Sequence, residues 1–274
     1  MSGIQNGQIQ PEVSMVSVKS LSKAFGAAVV LSDINFNLER GKVHSIIGPN
    51  GAGKTTLLNI LSGLYRPSSG EVIIDGTHVN GFAPHRLAAL GVSRTFQNLK
   101  VCFSLSLVEN VMLGQHRHLP NGILAGILRS QATRRADERA RAEATELLAF
   151  AGVPVDGALM PGMLSFGALK RLEIARALAG RPRLLLLDEP AAGLNPQETE
   201  EVKELIEKLA RRSITVVLVE HDMKLVMAVS HNVVVLNYGR KIALGTPAEV
   251  SCNSDVITAY LGTRRVRDAQ EALA

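Results

Sequence analysis

The 274-residue sequence is poor in several features that would place it in well-known classes of protein. It has two cysteines and no tryptophan, and aromatic residues make up only 4% of it. Two cysteines fit a reducing compartment, and no apolar run approaches the roughly 18–20 residues that span a bilayer. The first residues have neither the basic nor the apolar region of a secretory signal. We therefore expect a flexible leader at 1–14 and a cytoplasmic address.

The charge is moderately basic and leaves the class of partner open. A formal net charge of +5 and a pI near 9.4 are compatible with nucleic acid, anionic lipid or nucleotide phosphates. Basic and aromatic residues do not cluster in a way that favours stacking on bases, so we expect no nucleic-acid partner. The sequence shows no internal repeat and no low-complexity tract.

The order of hydrophobic patterns predicts an α/β protein. Strand patterns at 15–39 are followed by an apolar run ending in glycine, a helical segment at 54–64 and a strand at 70–76. From about 105 to 180 the pattern is almost wholly helical. Buried strands then alternate with helices: strands at 183–190, 214–221 and 232–239, helices at 196–212 and 221–230, and two short helices near the end. Continuous apolar strands alternating with helices predict a largely parallel sheet that is covered on both faces.

A phosphate-binding loop follows the apolar run at 42–48. "GPNGAGKTT" has the spacing G-x-x-x-x-G-K-[ST], with a strand before it and a helix after it. Backbone N–H groups of such a loop face phosphate oxygens, Lys54 reaches the β- and γ-phosphates, and Thr55 offers its hydroxyl to Mg²⁺. The pattern predicts an ATP site that includes Gly48, Asn50, Gly51, Ala52, Gly53, Lys54, Thr55 and Thr56.

A pair of carboxylates ends the buried strand "LLLLDEP". Ligands of open α/β sheets bind at the carboxyl ends of the strands, so Asp188 and Glu189 are expected beside the phosphate loop. We predict that Asp188 holds Mg²⁺ through water and that Glu189 is the general base for the attacking water.

These residues, in this order, resemble the ABC-type ATPases, the nucleotide-binding subunits of ATP-binding-cassette transporters, over 15–262. The resemblance implies a P-loop NTPase fold with a RecA-like parallel-sheet core, an N-terminal antiparallel β-subdomain, a helical subdomain inserted at about 98–180, and a charged tail at 263–274. It implies that Phe25 stacks on adenine and that Gln97 touches Mg²⁺ and water. His221 is implied to contact the γ-phosphate.

The stretch "LSFGA" at 164–168 is similar to the family's signature, which reaches the ATP of the other subunit. The resemblance implies that Ser165 and Gly167 contact that ATP, and we expect Ser165 also to cap the following helix. Gly167 is expected to leave room there for the partner's phosphate.

The helix that follows the signature carries Lys170, Glu173 and Arg176 at a spacing of three, which predicts a charged stripe on a polar face. Ala168 stands where the family usually has a polar residue. Asn195, in "AGLNP", stands where the family usually has an acidic one.

"LDEPAAGLNPQET" and "VEHDMKLVMAVSHNVVVLNYG", together with the insertion at about 115–150, resemble the ATPases of high-affinity branched-chain amino acid importers. This implies a second ATPase subunit, two membrane permeases, an extracytoplasmic solute-binding protein and a peripheral place on the cytoplasmic face of the inner membrane. We expect Phe103, Leu105 and Leu107 either to line the permease-binding groove or to pack in the core.

Three alternatives compete with this interpretation. A soluble ABC ATPase of DNA repair or translation fits the charge, but the chain has neither coiled-coil arms nor a second cassette. A P-loop kinase or GTPase would leave the signature and His221 without roles. A subunit that only completes its partner's site is disfavoured by the intact phosphate loop and carboxylates.

Overall fold

The computed structural model describes residues 14–115, 131–156 and 159–260, with the side chains of the second range from residue 135 onward. The leader and the charged tail predicted at the two ends lie outside these ranges, except for Ser14, which already belongs to the first strand. The middle of the predicted insertion, 116–130, also lies outside them. Within the described ranges every helix is too short or too polar to traverse a lipid bilayer.

The N-terminal strands form an antiparallel sheet, as the alternating pattern predicts. β1 (Ser14–Phe25) and β2 (Ala28–Glu39) pair as a long hairpin. β4 (Ser69–Ile74) and β5 (Thr77–His78) extend this sheet in the order β2-β1-β4-β5.

The second sheet has six strands in the order β10-β9-β3-β8-β7-β6. Its strands are β3 (Val43–Ile47), β6 (Val92–Arg94), β7 (Leu184–Asp188), β8 (Thr215–Val219), β9 (Asn232–Asn237) and β10 (Arg240–Gly245). All neighbours are parallel except β10, which pairs antiparallel with β9. β5, β6 and β10, and the short helix α2, are not predicted by the hydrophobic pattern.

Helices cover both faces of this sheet. They are α1 (Lys54–Leu61), α2 (Pro84–Ala89), α3 (Leu107–Met112), α4 (Gln131–Phe150), α5 (Phe166–Leu178), α6 (Pro196–Arg211), α7 (Met223–Val229), α8 (Pro247–Ser251) and α9 (254–260). Alternate residues of β7 show why its pattern is continuously apolar. Leu184 and Leu186 pack with α1 and the first sheet, whereas Leu185 and Leu187 pack with α5 and α6.

Candidate active site

Four loops meet at one edge of the larger sheet, because the carboxyl ends of parallel strands lie on the same side. β3 leads into the phosphate loop, β6 into the segment with Gln97, β7 into Glu189 and β8 into His221. Asp188 pairs in register with Val219, so the last residues of β7 and β8 lie side by side. The topology therefore brings together residues that are up to 173 positions apart, from Gly48 to His221.

The phosphate loop has a backbone that depends on its glycines. Gly48, Gly51 and Gly53 have φ angles of +153°, +80° and +99°, values that residues with a side chain rarely adopt. A Cβ on Gly48 would lie 2.1 Å from the carbonyl oxygen of Leu236, and one on Gly53 would lie 2.5 Å from a methyl of Leu31. The loop thus packs against its own core while its other side lines a cavity.

Lys54, the first residue of α1, is buried beneath this loop. Its Nζ donates to the carbonyl oxygens of Gly48 at 2.7 Å and Pro49 at 3.0 Å. Burial lowers the pKa of Lys54, and the charges of Glu189 and Asp188 oppose that shift. A buried ammonium that is neutralised only partly by carbonyl dipoles favours an anionic ligand.

A cavity of about 440 Å³ opens above the loop and fits a polyphosphate. It is lined by Val30, Asn50, Gly51, Ala52, Gly53, Lys54, Thr55, Thr56, Gln97, Glu189 and His221. The N-cap of α1 is Gly53, which has no side chain to cap the helix, and the first turn has no acidic residue, so the first N–H groups of α1 face the cavity. Every predicted phosphate-loop residue except Gly48 lines this cavity. Gly48 contacts it indirectly, because its carbonyl oxygen accepts from Lys54, which lines the cavity.

Glu189 is held from two sides at the mouth of the cavity. Gln97 donates from Nε2 to one carboxylate oxygen at 2.9 Å, and His221 Nε2 lies 2.5 Å from the other. Glu189 has a φ of +50°, a strained backbone that costs about 1–3 kcal/mol in a residue with a side chain. Its N–H bonds to the Val219 carbonyl at 2.9 Å, which fixes the turn. The three predicted residues therefore form one hydrogen-bonded group.

Asp188 is paired with a buried arginine. Arg94 NH2 donates to Asp188 Oδ2 at 2.8 Å, and the two side chains are 7% and 4% exposed. The same guanidinium donates to Asn59 Oδ1 at 2.6 Å and Ser62 Oγ at 2.8 Å, near the end of α1. Arg94 was not singled out from the sequence. It joins the predicted metal carboxylate to the helix that carries the phosphate loop.

Glu220 is a second residue that the sequence reasoning missed. Its side chain is buried, and its carboxylate accepts from the N–H of Ala191 at 2.7 Å and of His221 at 2.8 Å. Ala191 lies two residues after Glu189 in the same loop, and the other donor is the backbone N–H of His221 itself. Glu220 thereby fixes the two loops that carry Glu189 and His221 relative to each other. A glutamate directly before a strand-end histidine was the available signal.

The signature segment lies as predicted at the start of a helix. Ser165 is the N-cap of α5 and accepts from the Ala168 N–H at 3.3 Å, while Leu172 and Ala175 are buried in the core. The charged residues of this helix are less exposed than a stripe on its polar face would be. Lys170 and Glu173 are 4% and 3% exposed, because Lys170 donates to the backbone carbonyl of Gln97 at 3.2 Å and Glu173 accepts from the N–H of Lys100.

The space in front of Gly167 differs from the expectation. We expected glycine to leave room for a partner's phosphate, but the Glu198 carboxylate lies there and accepts from the Gly167 N–H at 3.0 Å. A Cβ on Gly167 would be 2.7 Å from Glu198 Cδ. Ala168 is buried at 6% exposure, so this departure from the family pattern packs inside the chain.

Phe25 lies at the end of β1 and is 44% exposed. Tyr65 meets it edge to face with centroids 5.3 Å apart, and Lys23 Nζ is 4.6 Å from its centroid. The ring is available for stacking, but it is not among the residues that line the phosphate cavity. Its role with adenine stays a prediction.

A second cavity of about 440 Å³ lies between the sheet core and the helices of the inserted segment. Its apolar lining includes Leu64, Leu87, Phe96, Leu113 and Ala177. The three residues considered for such a groove do not line it. Leu107 is buried in the core, Leu105 is half-buried and Phe103 is 56% exposed.

The chain is similar to known ATP-binding proteins of transporters. The family model described as ABC transporter matches residues 31–192, and that of the branched-chain amino acid ATP-binding cassette transporter matches 240–266. The chain is 45% identical to the high-affinity branched-chain amino acid transport ATP-binding protein BraF of Pseudomonas aeruginosa, over 90% of this chain and 98% of that protein. It is 41% identical to LivG of Escherichia coli K12, a protein of the same description, with the same coverage.

Solved structures of ATP-binding cassettes share the fold. The ADP conformation of the cassette MJ1267 superposes with a TM-score of 0.79 at 26% identity, over 91% of this chain and 99% of that one. The dimeric post-hydrolysis state of the cassette MJ0796 with ADP and Pi gives 0.71 at 30% identity, over 85% and 99%. The chain therefore belongs to the ABC transporter family, as an ATPase in the branch of the branched-chain amino acid transport ATP-binding proteins.

Proposed function

We propose that this chain is the ATP-hydrolysing subunit of an importer for branched-chain or related amino acids, with Glu189 as the general base. The observation that carries this proposal is the position of the Glu189 carboxylate between Gln97 and His221 at the mouth of the phosphate cavity. A base needs hydrogen-bond reach of the reacting water and an orienting partner, and Glu189 has two such partners. The solute is inferred from the relatives, which are described as branched-chain amino acid transport proteins.

The reaction uses residues of the chain in separate roles. Lys54 and the N–H groups of the loop bind the β- and γ-phosphates, and Glu189 takes a proton from the water that attacks the γ-phosphorus. The bond from that phosphorus to the bridging oxygen breaks, and ADP and phosphate leave. His221 and Gln97 keep the carboxylate pointed at the water. Thr55, Gln97 and, through water, Asp188 would hold Mg²⁺, which would neutralise phosphate charge when bound.

The subunit acts in a complex. Ser165 and Gly167 at the start of α5 would contact ATP held by a second ATPase subunit, either another copy or a related chain. ATP then joins two subunits, and hydrolysis removes the contacts that hold them closed. Two permeases would follow this motion through the groove lined by Leu64 and Phe96, at the cytoplasmic face of the inner membrane. A solute-binding protein on the other side would deliver the amino acid.

The test uses the chain assembled with its permeases and second ATPase in lipid vesicles. Lys54→Ala is expected to weaken ATP binding, and Glu189→Gln to bind ATP normally but to stop hydrolysis at its own site. Uptake of labelled leucine into the vesicles should require both ATP and a leucine-loaded binding protein. Undiminished hydrolysis in Glu189→Gln would refute the assignment of the base, and uptake of other solutes alone would refute that of the amino acid.

A further inference from the structure

The Glu198 carboxylate occupies the hydrogen-bond donors of the signature segment. Its Oε1 accepts from the Ser165 hydroxyl at 2.8 Å and from the Gly167 N–H at 3.0 Å. Its Oε2 accepts from the N–H of Asn195, the N-cap of α6, at 3.3 Å. These bonds, led by that from the Ser165 hydroxyl, lower the pKa of Glu198. Glu198 is therefore a carboxylate anion at neutral pH.

Two other glutamates of the chain show what an ordinary cap of this kind does. Glu109 and Glu249 also stand at the third position of their helices and accept from the N–H and hydroxyl of their own N-cap residues, Ser106 and Thr246. Glu198 caps α6 with one oxygen. Its other oxygen accepts from Ser165 and Gly167 at the start of α5, which lie 33 and 31 residues earlier in the chain. The second contact is not needed to cap α6.

A carboxylate and a terminal phosphate present the same chemistry to these donors. Both are anionic oxygen acceptors, and both are favoured at the N-terminus of a helix, here the 13-residue α5. The close approach also requires a glycine, because a Cβ on Gly167 would lie 2.7 Å from the Glu198 carboxyl carbon. An anion is thus already bound at the place where the proposed function requires the phosphate of another subunit's ATP.

We propose that Glu198 holds the signature donors in the unpaired subunit and is displaced by the γ-phosphate of the partner subunit's ATP, so that it sets the ATP concentration at which the subunits close. This inference rests on the proposed function. On closure, the Ser165 hydroxyl and the Gly167 N–H exchange a carboxylate oxygen for phosphate oxygens, and the released carboxylate turns to water. The exchange also removes a negative charge from the path of a polyphosphate.

The displacement requires the movement of one side chain and not of a helix. Arg171 on α5 forms an ion pair with Glu201 on α6, one turn beyond Glu198. This pair keeps the two helices together while Glu198 rotates. Glu198 therefore acts on the reaction through Ser165 and Gly167 as a positioning residue.

The test measures ATP retained by the assembled transporter in lipid vesicles, after free nucleotide is removed, as a function of ATP concentration. The chain carries Glu189→Gln throughout, so that bound ATP is not hydrolysed at its site. Adding Glu198→Gln or Glu198→Ala is expected to lower the half-saturating ATP concentration by about tenfold, the effect of one charge-assisted hydrogen bond. Adding Ser165→Ala should raise it, because a phosphate donor is lost.

The matched control is Glu249→Gln, which alters a capping box of the same type at α8, outside the residues that line the phosphate cavity. It should leave the half-saturating concentration unchanged, and thermal unfolding of each variant separates capping from ATP binding. An unchanged or higher concentration in both Glu198 variants would overturn this inference while leaving the proposed function intact. Retention that does not depend on Lys54 would instead overturn the proposed function.

Discussion

The buried pair of Arg94 and Asp188 gives a prediction whose size follows from its surroundings. Replacing Arg94 with Met keeps an apolar stem but removes three hydrogen bonds, to Asp188, Asn59 and Ser62. Asp188 is then left 4% exposed without its cation. Removing one partner of a buried ion pair costs about 3–5 kcal/mol, because the remaining charge is not solvated. With a typical entropy of unfolding per residue, this lowers the melting temperature by about 5–9 °C in a chain of this length.

The assay is urea unfolding of the full chain, followed by circular dichroism, with Arg181→Met as the matched control. Arg181 donates to the Glu143 carboxylate at 3.0 and 2.9 Å, but its side chain is 63% exposed. An exposed pair of this kind contributes about 0–1 kcal/mol. Both variants thus remove an ion pair between an arginine and a carboxylate, one of them buried and the other exposed.

A double variant tests whether the loss comes from the unpaired charge. Arg94→Met combined with Asp188→Asn leaves neither charge, so the total loss should be smaller than the sum of the two single losses by about 1–3 kcal/mol. A loss below 1 kcal/mol for Arg94→Met, equal to that of Arg181→Met, would refute the reasoning. So would strict additivity in the double variant.

Three further predictions concern the loops and the sheet. Glu220→Gln leaves one acceptor oxygen for the N–H groups of Ala191 and His221, so we expect the free energy of unfolding in urea to fall by about 1–3 kcal/mol. We also expect a lower kcat for ATP with little change in KM. An unchanged kcat would reduce Glu220 to a structural role. Gly48→Ala should abolish ATP binding and destabilise the chain, because its Cβ would meet a carbonyl oxygen at 2.1 Å. Gly51→Ala has free space, so it should lower the stability by only about 1–2 kcal/mol, for its φ of +80°. Equal effects of the two variants on ATP binding in calorimetry would contradict the loop geometry. Burial lowers the pKa of His44 below its ordinary value of 6.5, so its contribution to stability is present above pH 6.5 and is lost as the pH falls below it. Between pH 7 and 5, the free energy of unfolding should therefore depend less on pH in His44→Gln. The same pH dependence in both proteins would exclude His44 as a source of it.

The parts of the fold that the sequence predicts are those with strong local patterns. β7 and β8 are continuous apolar runs because both faces of their sheet are covered, and the phosphate loop is marked by its glycines and Lys54. β6 escapes prediction because it has only three residues, and β10 because it is an edge strand in which no residue is fully buried. The family pattern supplies Gln97 and His221, which have no local signal of their own.

The contacts of the site that could not be predicted are long-range contacts made by charged side chains. "NPQE" indicates a capping box at Asn195, but nothing near Glu198 in the sequence indicates that its second oxygen reaches Ser165. Nothing in the sequence near Arg94 distinguishes it from the other arginines, because its pairing with Asp188 depends on β6 lying beside β7. Lys170 is expected on a polar face, yet it is buried and donates to the backbone carbonyl of Gln97. Hydrophobic periodicity reports burial of apolar faces and does not report which polar partners meet.

The carboxylates of the site are each engaged in a different way before nucleotide arrives. Arg94 neutralises Asp188, Gln97 and His221 orient Glu189, and Glu198 accepts from the signature donors. ATP adds several negative charges to this arrangement, so its binding cannot simply fill a vacant positive site. In the proposed function, Lys54 and the N–H groups at the start of α1 would meet the phosphates directly, whereas the contacts with a second subunit would require the exchange at Glu198. Binding to one chain and closure of two are therefore separable steps with separate residues. A variant at Lys54 should weaken both steps, while a variant at Glu198 should shift only the second.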